Sequence, residues 1–218
     1  MDNQKKYEKL RDVILEWNEK INVTAIRDPE EFMAKNVKDS LLLTGTPEYE
    51  NAKTVLDMGT GGGFPGLPLA INSPDKKFVL TDAIGKKLKV VQAAADELGL
   101  TNVEVIHSRA EDLAKNKDHR EKYDAVVSRA VANMSTLSEY CLPFVKVGGY
   151  FIAYKTWESK EEIAAAHNAI TVLGGDIVRM DTSGVEGNGH MFVIVKKIKP
   201  TPAKYPRKAG LPSKEPIA

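Results

Sequence analysis

One segment, TVLDMGTGGGFPGLP at residues 54–68, constrains this chain more than any other. An apolar, β-prone run (Val55, Leu56) meets an acid, Asp57, and glycines then stand at every second position, Gly59, Gly61 and Gly63. Glycine alone takes positive φ freely, and a backbone bare of side chains lets a ligand lie against its N–H groups. The segment is therefore expected to be a strand, a ligand-cradling loop and the start of a helix.

Such a loop needs a sheet behind it, and the flanking pattern supplies one. From Thr54 onward short β runs (VLDM, FVLTD, VEVIHS, YDAVVS, YFIAYK) alternate with helical stretches (GLPLAI, GKKLKVVQAAADELG, MSTLSEYCLPFV, SKEEIAAAHNAITVLGG), the signature of a parallel sheet covered by helices. The last two β runs, DIVRMDT and HMFVIVKKI, are separated by SGVEGNGH with no helix between them, so they should pair antiparallel. Upstream, Tyr7, Leu10, Val13, Ile14, Trp17 and Ile21 recur at helical spacing. A second helix should start at Asp28, which offers an N-cap followed by Pro29 and by Glu31 three positions on. The expected organisation is a helical extension over residues 1–50, an α/β core over 51–198, and a Pro- and Lys-rich tail over 199–218, extended or disordered. No internal repeat is visible.

Composition bounds the function classes. With 218 residues, 42% of them hydrophobic and 28% charged, the chain suits one soluble domain with an extension. No apolar run approaches the roughly 20 residues of a membrane span. The start lacks the apolar block of a secretory signal, and a lone cysteine cannot form an internal disulfide, so a cytoplasmic location is expected. The net charge of +1 hides an asymmetry: residues 199–218 carry five Lys or Arg against one acid, whereas the rest has 26 basic and 29 acidic side chains. A basic tail on a mildly acidic body suggests a polyanionic partner such as RNA.

The glycine loop leads, through a helix, to a second β run ending in Asp82, where doubly wound folds place the acid that accepts ribose hydroxyls. An adenosine-bearing cofactor fits, and two compete. A nicotinamide dinucleotide needs a third glycine one position beyond Gly63, where Phe64 stands. S-adenosylmethionine has an ammonium on its amino-acid end, which suits an acid placed like Asp57, two residues before the first glycine.

The pattern D-x-G-x-G-x-G resembles the first motif of the class I S-adenosylmethionine-dependent methyltransferases, a Rossmann-like fold whose seven-stranded sheet has an antiparallel last strand. The stretches DMGTGGGFPGLPLAI, SRA (Ser128 to Ala130), GGYFIAYK, WNEKINVTAIRDPEE, KDSLL and TPAKYPRKAG are closely similar to one family. It is the bacterial small-subunit (16S) ribosomal RNA guanine-N7 methyltransferase, or glucose-inhibited division protein B, family. The resemblance implies S-adenosylmethionine as cofactor and 16S ribosomal RNA or the small subunit as partner. It implies that Gly59 and Phe64 line the cofactor site, where the loop and the second β run already place Gly61, Gly63 and Asp82, that Ala110 and Glu111 lie beside the adenosine, and that Arg129 lies near the methionine end. Lys155, His190, Lys204, Arg207 and Lys208 are the expected RNA contacts. This sequence departs from the family pattern at Asn36, where a histidine is expected, and at His190, where an arginine is usual.

Absent residues exclude other methyl-transfer chemistries. Pyrimidine C5 methylation needs a nucleophilic cysteine, and Cys141 lies in the apolar SEYCLPF stretch as a core residue. Exocyclic-amine methylation usually goes with an N-P-P-Y-type loop after the fourth strand, where this chain reads SRAV. Guanine N7 has a free lone pair at neutral pH, so no general base is expected. His107, His119, His167 and His190 have no ligand-like spacing, and no metal is expected. Lys86 and Lys87 should lie on the ligand side of the sheet with Lys155, and Tyr154 and Trp157 suit either base stacking or packing. A nicotinamide oxidoreductase and a non-catalytic RNA-binding module remain the alternatives.

Overall fold

The computed structural model describes residues 2–182 and 190–218, with His190 described by its backbone alone. Its centre is a seven-stranded sheet in the order β3-β2-β1-β4-β5-β7-β6. The strands are β1 (Thr54–Met58), β2 (Lys77–Asp82), β3 (Val103–His107), β4 (Tyr123–Arg129), β5 (Val145–Thr156), β6 (Gly175–Asp181) and β7 (His190–Lys197). β1 to β5 run parallel, and β7 pairs antiparallel with both β5 and β6. The two β runs that lack an intervening helix thus pair as their connection requires. Most of that connection, residues 183–189, lies outside the described residues.

Side chains alternate across the sheet. Val55 enters one apolar core, with Phe78, Leu80 and Val127, while Leu56 and Met58 enter the other, with Leu137, Cys141 and Phe151. The N-terminal residues join the first core. Asp2 caps the helix Asn3–Asn18 by accepting from Lys5 N at 3.0 Å, and Leu10 and Ile14 are fully buried. Each such burial contributes roughly 1.5–3 kcal/mol. Asp28 caps Pro29–Phe32, accepting from Glu31 N at 2.8 Å as its sequence predicts. The helix then widens into a π-helical turn over Met33–Lys38. Phe32, Val37, Leu43 and Tyr49 lie in the same core as β1, so the first 50 residues pack as part of the body.

The final segment corrects the expectation of an extended or disordered tail. Arg120 donates to Thr201 O at 2.8 Å and to Tyr205 O at 2.9 Å, and Glu121 accepts from Thr201 N at 2.7 Å. Arg207 grips Glu139 through Nε and Nη2, and Thr136 donates to Pro212 O at 3.0 Å. Charge and proline content made this segment look solvated. Two buried carboxylates, Glu139 and Glu111, need donors from outside their own helices, and the tail supplies them.

Candidate active site

Strand order reverses between β1 and β4, and the crevice beyond their C-terminal ends is where open α/β sheets bind ligands. A cleft of about 460 Å³ opens there, within the usual range for a small-molecule site. The glycine loop forms its floor. Gly59 (φ 71°), Gly61 (φ 58°) and Gly63 (φ 96°) all lie in the left-handed region. Gly59 N and Thr60 N both donate to Thr81 O, which ties the loop to β2. A Cβ at Gly61 would meet no protein atom nearer than 4.0 Å, so it would project into open space. At Gly59 it would strike Val131 at 2.5 Å, and at Gly63 it would strike Leu67 at 2.4 Å.

Two carboxylates brace this loop. Asp57 is fully buried, and its Oδ2 accepts from the Thr60 hydroxyl at 2.6 Å and from Gly66 N at 2.8 Å. Burial pushes its pKa up to about 6, against the hydrogen bonds from Thr60 and Gly66 that lower it. Its Oδ1 has no hydrogen-bond partner. Asp82 accepts from Gly61 N (Oδ2, 2.9 Å) and from Ile84 N (Oδ1, 2.8 Å), so it joins the loop to the following helix, Gly85–Glu97.

The three residues of SRA have separate tasks. Ser128 donates to Met58 O at 2.8 Å and fastens β4 to β1 at the mouth of the cleft. Arg129 reaches back to the N-terminal segment, donating from Nη1 to Asp39 Oδ2 (2.7 Å) and Lys35 O (3.0 Å), and from Nη2 to Asn36 Oδ1 (3.0 Å). Its guanidinium also lies 5.6 Å from the Phe64 ring centroid. Ala130 turns the chain with φ 55°, a left-handed conformation that a non-glycine residue holds only where its surroundings impose it.

Gly59, Gly61, Phe64, Asp82, Ala110, Glu111 and Arg129 all line this one cleft. Gly63 does not, and its need for glycine comes from its positive φ and from Leu67. Sequence reasoning missed Val23 and Thr24 and named Asn36 only as a departure from the family pattern; the N-terminal segment brings all three to the same cleft. Asn18 holds that loop, accepting from Val23 N and Thr24 N and donating to Thr24 O. The signal was present in WNEKINVT, where a polar residue ends an otherwise amphipathic helix. Gly62 and Tyr140 also line the cleft.

The expected RNA contacts divide. Lys204 and Lys208 are exposed. Lys155 is 10% exposed and engaged by Glu162 Oε1 at 2.6 Å and Ala132 O at 2.8 Å, while Arg207 is committed to Glu139. Both side chains neutralise protein acids, so neither offers phosphate a free cation. The His190 side chain lies outside the described residues. Tyr154 is core, donating to Ser40 O at 2.8 Å and packing edge-on against Phe192. Trp157 is 52% exposed, with Lys160 Nζ over its ring. Burial pushes the Cys141 thiol well above its ordinary value, which makes it inert as a nucleophile. Among the described residues no group of three His, Cys, Asp or Glu is arranged to hold a metal, and no helix is long and apolar enough to cross a membrane.

Residues 3–190 match the family model described as GidB, rRNA small subunit methyltransferase G. The ribosomal RNA small subunit methyltransferase G of Alkaliphilus metalliredigens is 48% identical over 209 residues, covering 95% of this chain and 87% of its own. That of Clostridium novyi is 46% identical over 220 residues, covering 99% and 90%. Among solved structures, a SAM-dependent methyltransferase from Aquifex aeolicus aligns with a TM-score of 0.56 at 20% identity, over 78% of this chain and 99% of its own. A T. thermophilus 16S rRNA N2 G1207 methyltransferase, in complex with AdoMet and guanosine, aligns at 0.53 with 18% identity, over 82% and 41%. Those two structures support the fold, a class I methyltransferase sheet. The family model and the relatives support more: this chain belongs to the rRNA small subunit methyltransferase G family.

Proposed function

We propose that this protein transfers a methyl group from S-adenosylmethionine to N7 of a guanine in 16S ribosomal RNA, in the cytoplasm. Membership of a methyltransferase family weighs against the nicotinamide and the non-catalytic readings. The observation that carries the proposal is the cleft itself. Its floor is a left-handed glycine loop braced by Asp82, with open space above Gly61, and Ala110 and Glu111 stand on one side.

These residues fit the cofactor. Gly61 leaves open space for close approach to the backbone beside Gly59 on the same floor, and each Asp82 oxygen keeps a lone pair for a ribose hydroxyl beyond the bond it already accepts. Ala110 and Glu111 flank the adenosine end, and Phe64 with Arg129 bounds the methionine end. The bound cofactor supplies an electrophilic methyl group on a sulfonium. Guanine N7 offers its lone pair at neutral pH and loses no proton on methylation, so no side chain has to act as a base. The protein's contribution is then alignment and a water-poor, preorganised surface. Exposed Lys199, Lys204, Lys208 and Lys214 on the docked tail, with Lys87 and Arg109 at the cleft, are among the described cations that remain for RNA phosphates.

The test is methyl transfer from labelled S-adenosylmethionine to deproteinised 16S RNA and, separately, to small subunits, followed by digestion to nucleosides. Label should appear in 7-methylguanosine. Label in a C5-methylated pyrimidine or an N2-methylated guanosine would overturn the assignment, and cofactor binding without transfer to either substrate would leave an RNA-binding module.

A further inference from the structure

One polar group in the cleft has no partner in the protein. Asn36 lines the cleft, is 6% exposed, and its Nδ2 makes no hydrogen bond. The orientation of its amide is fixed from outside: Arg129 Nη2 donates to Asn36 Oδ1 at 3.0 Å, so that atom must be the acceptor and Nδ2 must face the other way. A buried donor without an acceptor costs free energy, and one that lines a ligand-sized cleft is placed for a bound group to complete it. The local backbone is also unusual. Asn36 sits in the π-helical turn Met33–Lys38, and such widened turns gather at functional sites.

Resting on the reading that S-adenosylmethionine fills this cleft, we propose that Asn36 Nδ2 donates to the carboxylate of the cofactor's amino-acid end. The placement argues for that end. Asp82, Ala110 and Glu111 mark the adenosine side, whereas Asn36 is bonded to Arg129, and Arg129 lies against Phe64, on the other. A neutral N–H donor suits a carboxylate oxygen and has nothing to offer the ammonium. The enclosure of Asn36 favours the tail of a small molecule held inside the cleft over a base presented by a bulky RNA from its rim.

The test separates the donor from its role in holding Arg129. Asn36→Asp keeps an oxygen facing Arg129 and strengthens that contact, yet it has no N–H and adds a negative charge. Asn36→Ala removes both. Calorimetric affinities would be measured for S-adenosylhomocysteine and for methylthioadenosine, which keeps the sulfur and the adenosine but lacks the amino-acid end. Both variants should bind S-adenosylhomocysteine roughly ten- to hundred-fold more weakly, the aspartate at least as weakly as the alanine, with methylthioadenosine unchanged. Wild-type affinity in Asn36→Asp would overturn the proposal and leave Asn36 as a brace for Arg129. Equal losses for both ligands would overturn it as a general distortion. Unchanged S-adenosylhomocysteine affinity with a raised KM for RNA would overturn it and move the donor to the guanine. Failure of the wild-type protein to bind S-adenosylhomocysteine at all would defeat the cofactor reading itself.

Discussion

The glycine loop and the C-terminal segment are both held by carboxylates, but the partners lie at different distances along the chain. In the loop, Asp57 grips Thr60 and Gly66, three and nine residues away, and Asp82 grips Gly61, 21 residues away. In the C-terminal segment, Arg207 meets Glu139 across 68 positions and Gly210 N meets Glu111 Oε1 across 99. One region carries its instructions in a contiguous motif, and the other is assembled only after the body exists. Glu111 belongs to both worlds, because it lines the cleft and holds the tail.

The largest expected effect tests whether the tail is docked. Glu139 is 1% exposed in its side chain, and Arg207→Ala would leave it a buried, largely uncompensated charge. Urea denaturation should show a loss of about 3–5 kcal/mol, recovered in large part when Glu139→Gln is added. A loss within the scatter of surface substitutions would return the segment to a solvated terminus and erase the contrast.

Asp57 offers a pH test of the loop. Its folded-state pKa, about 6, lies above the ordinary value of 3.8, so between those values the folded state holds a proton that the unfolded state has released. Stability from this group therefore falls as pH rises from about 4 to 6 and stays lower above that, by about 3 kcal/mol in all. Asp57→Asn should flatten that slope in denaturation curves taken at several pH values. An identical slope would mean that the buried carboxylate is ionised throughout.

Gly61→Val addresses ligand binding. A β-branched residue at φ 58° is strained, and its side chain would fill the cleft above the loop. Affinity for S-adenosylmethionine should drop by about 100-fold or more. Circular dichroism would report whether the fold survives, and a folded variant with unchanged affinity would remove the loop from the site. The smallest effect belongs to Cys141→Ala. Loss of a fully buried sulfur should cost about 1 kcal/mol while methyl transfer continues, and a folded, inactive variant would point to covalent pyrimidine chemistry.

The difference in sequence separation also explains what could be read in advance. The β1–loop–helix unit, Asp82 at the end of β2, the antiparallel final pair and the inertness of Cys141 follow from backbone sterics and periodicity within windows of a few residues. The same local reading assigned all three loop glycines to a ligand, although Gly63 answers to Leu67. Positive φ is legible in sequence, whereas the atom that crowds a missing Cβ is not.

Charge was the poorer guide. Lys155 and Arg207 look like RNA contacts when counted as cations, and only packing reveals Glu162 and Glu139 beside them. Asn36, Val23 and Thr24 reach the cleft because Asn18 folds their loop over it and Arg129 draws the π-helical turn onto β4. By itself the sequence determined the glycine cradle, the strand alternation and the family, since dihedral preferences and apolar periods are properties of neighbouring residues. The tertiary structure decided which charges face solvent and which complete the cleft, because desolvating a charge forces it to find a partner, and that partner can lie anywhere along the chain.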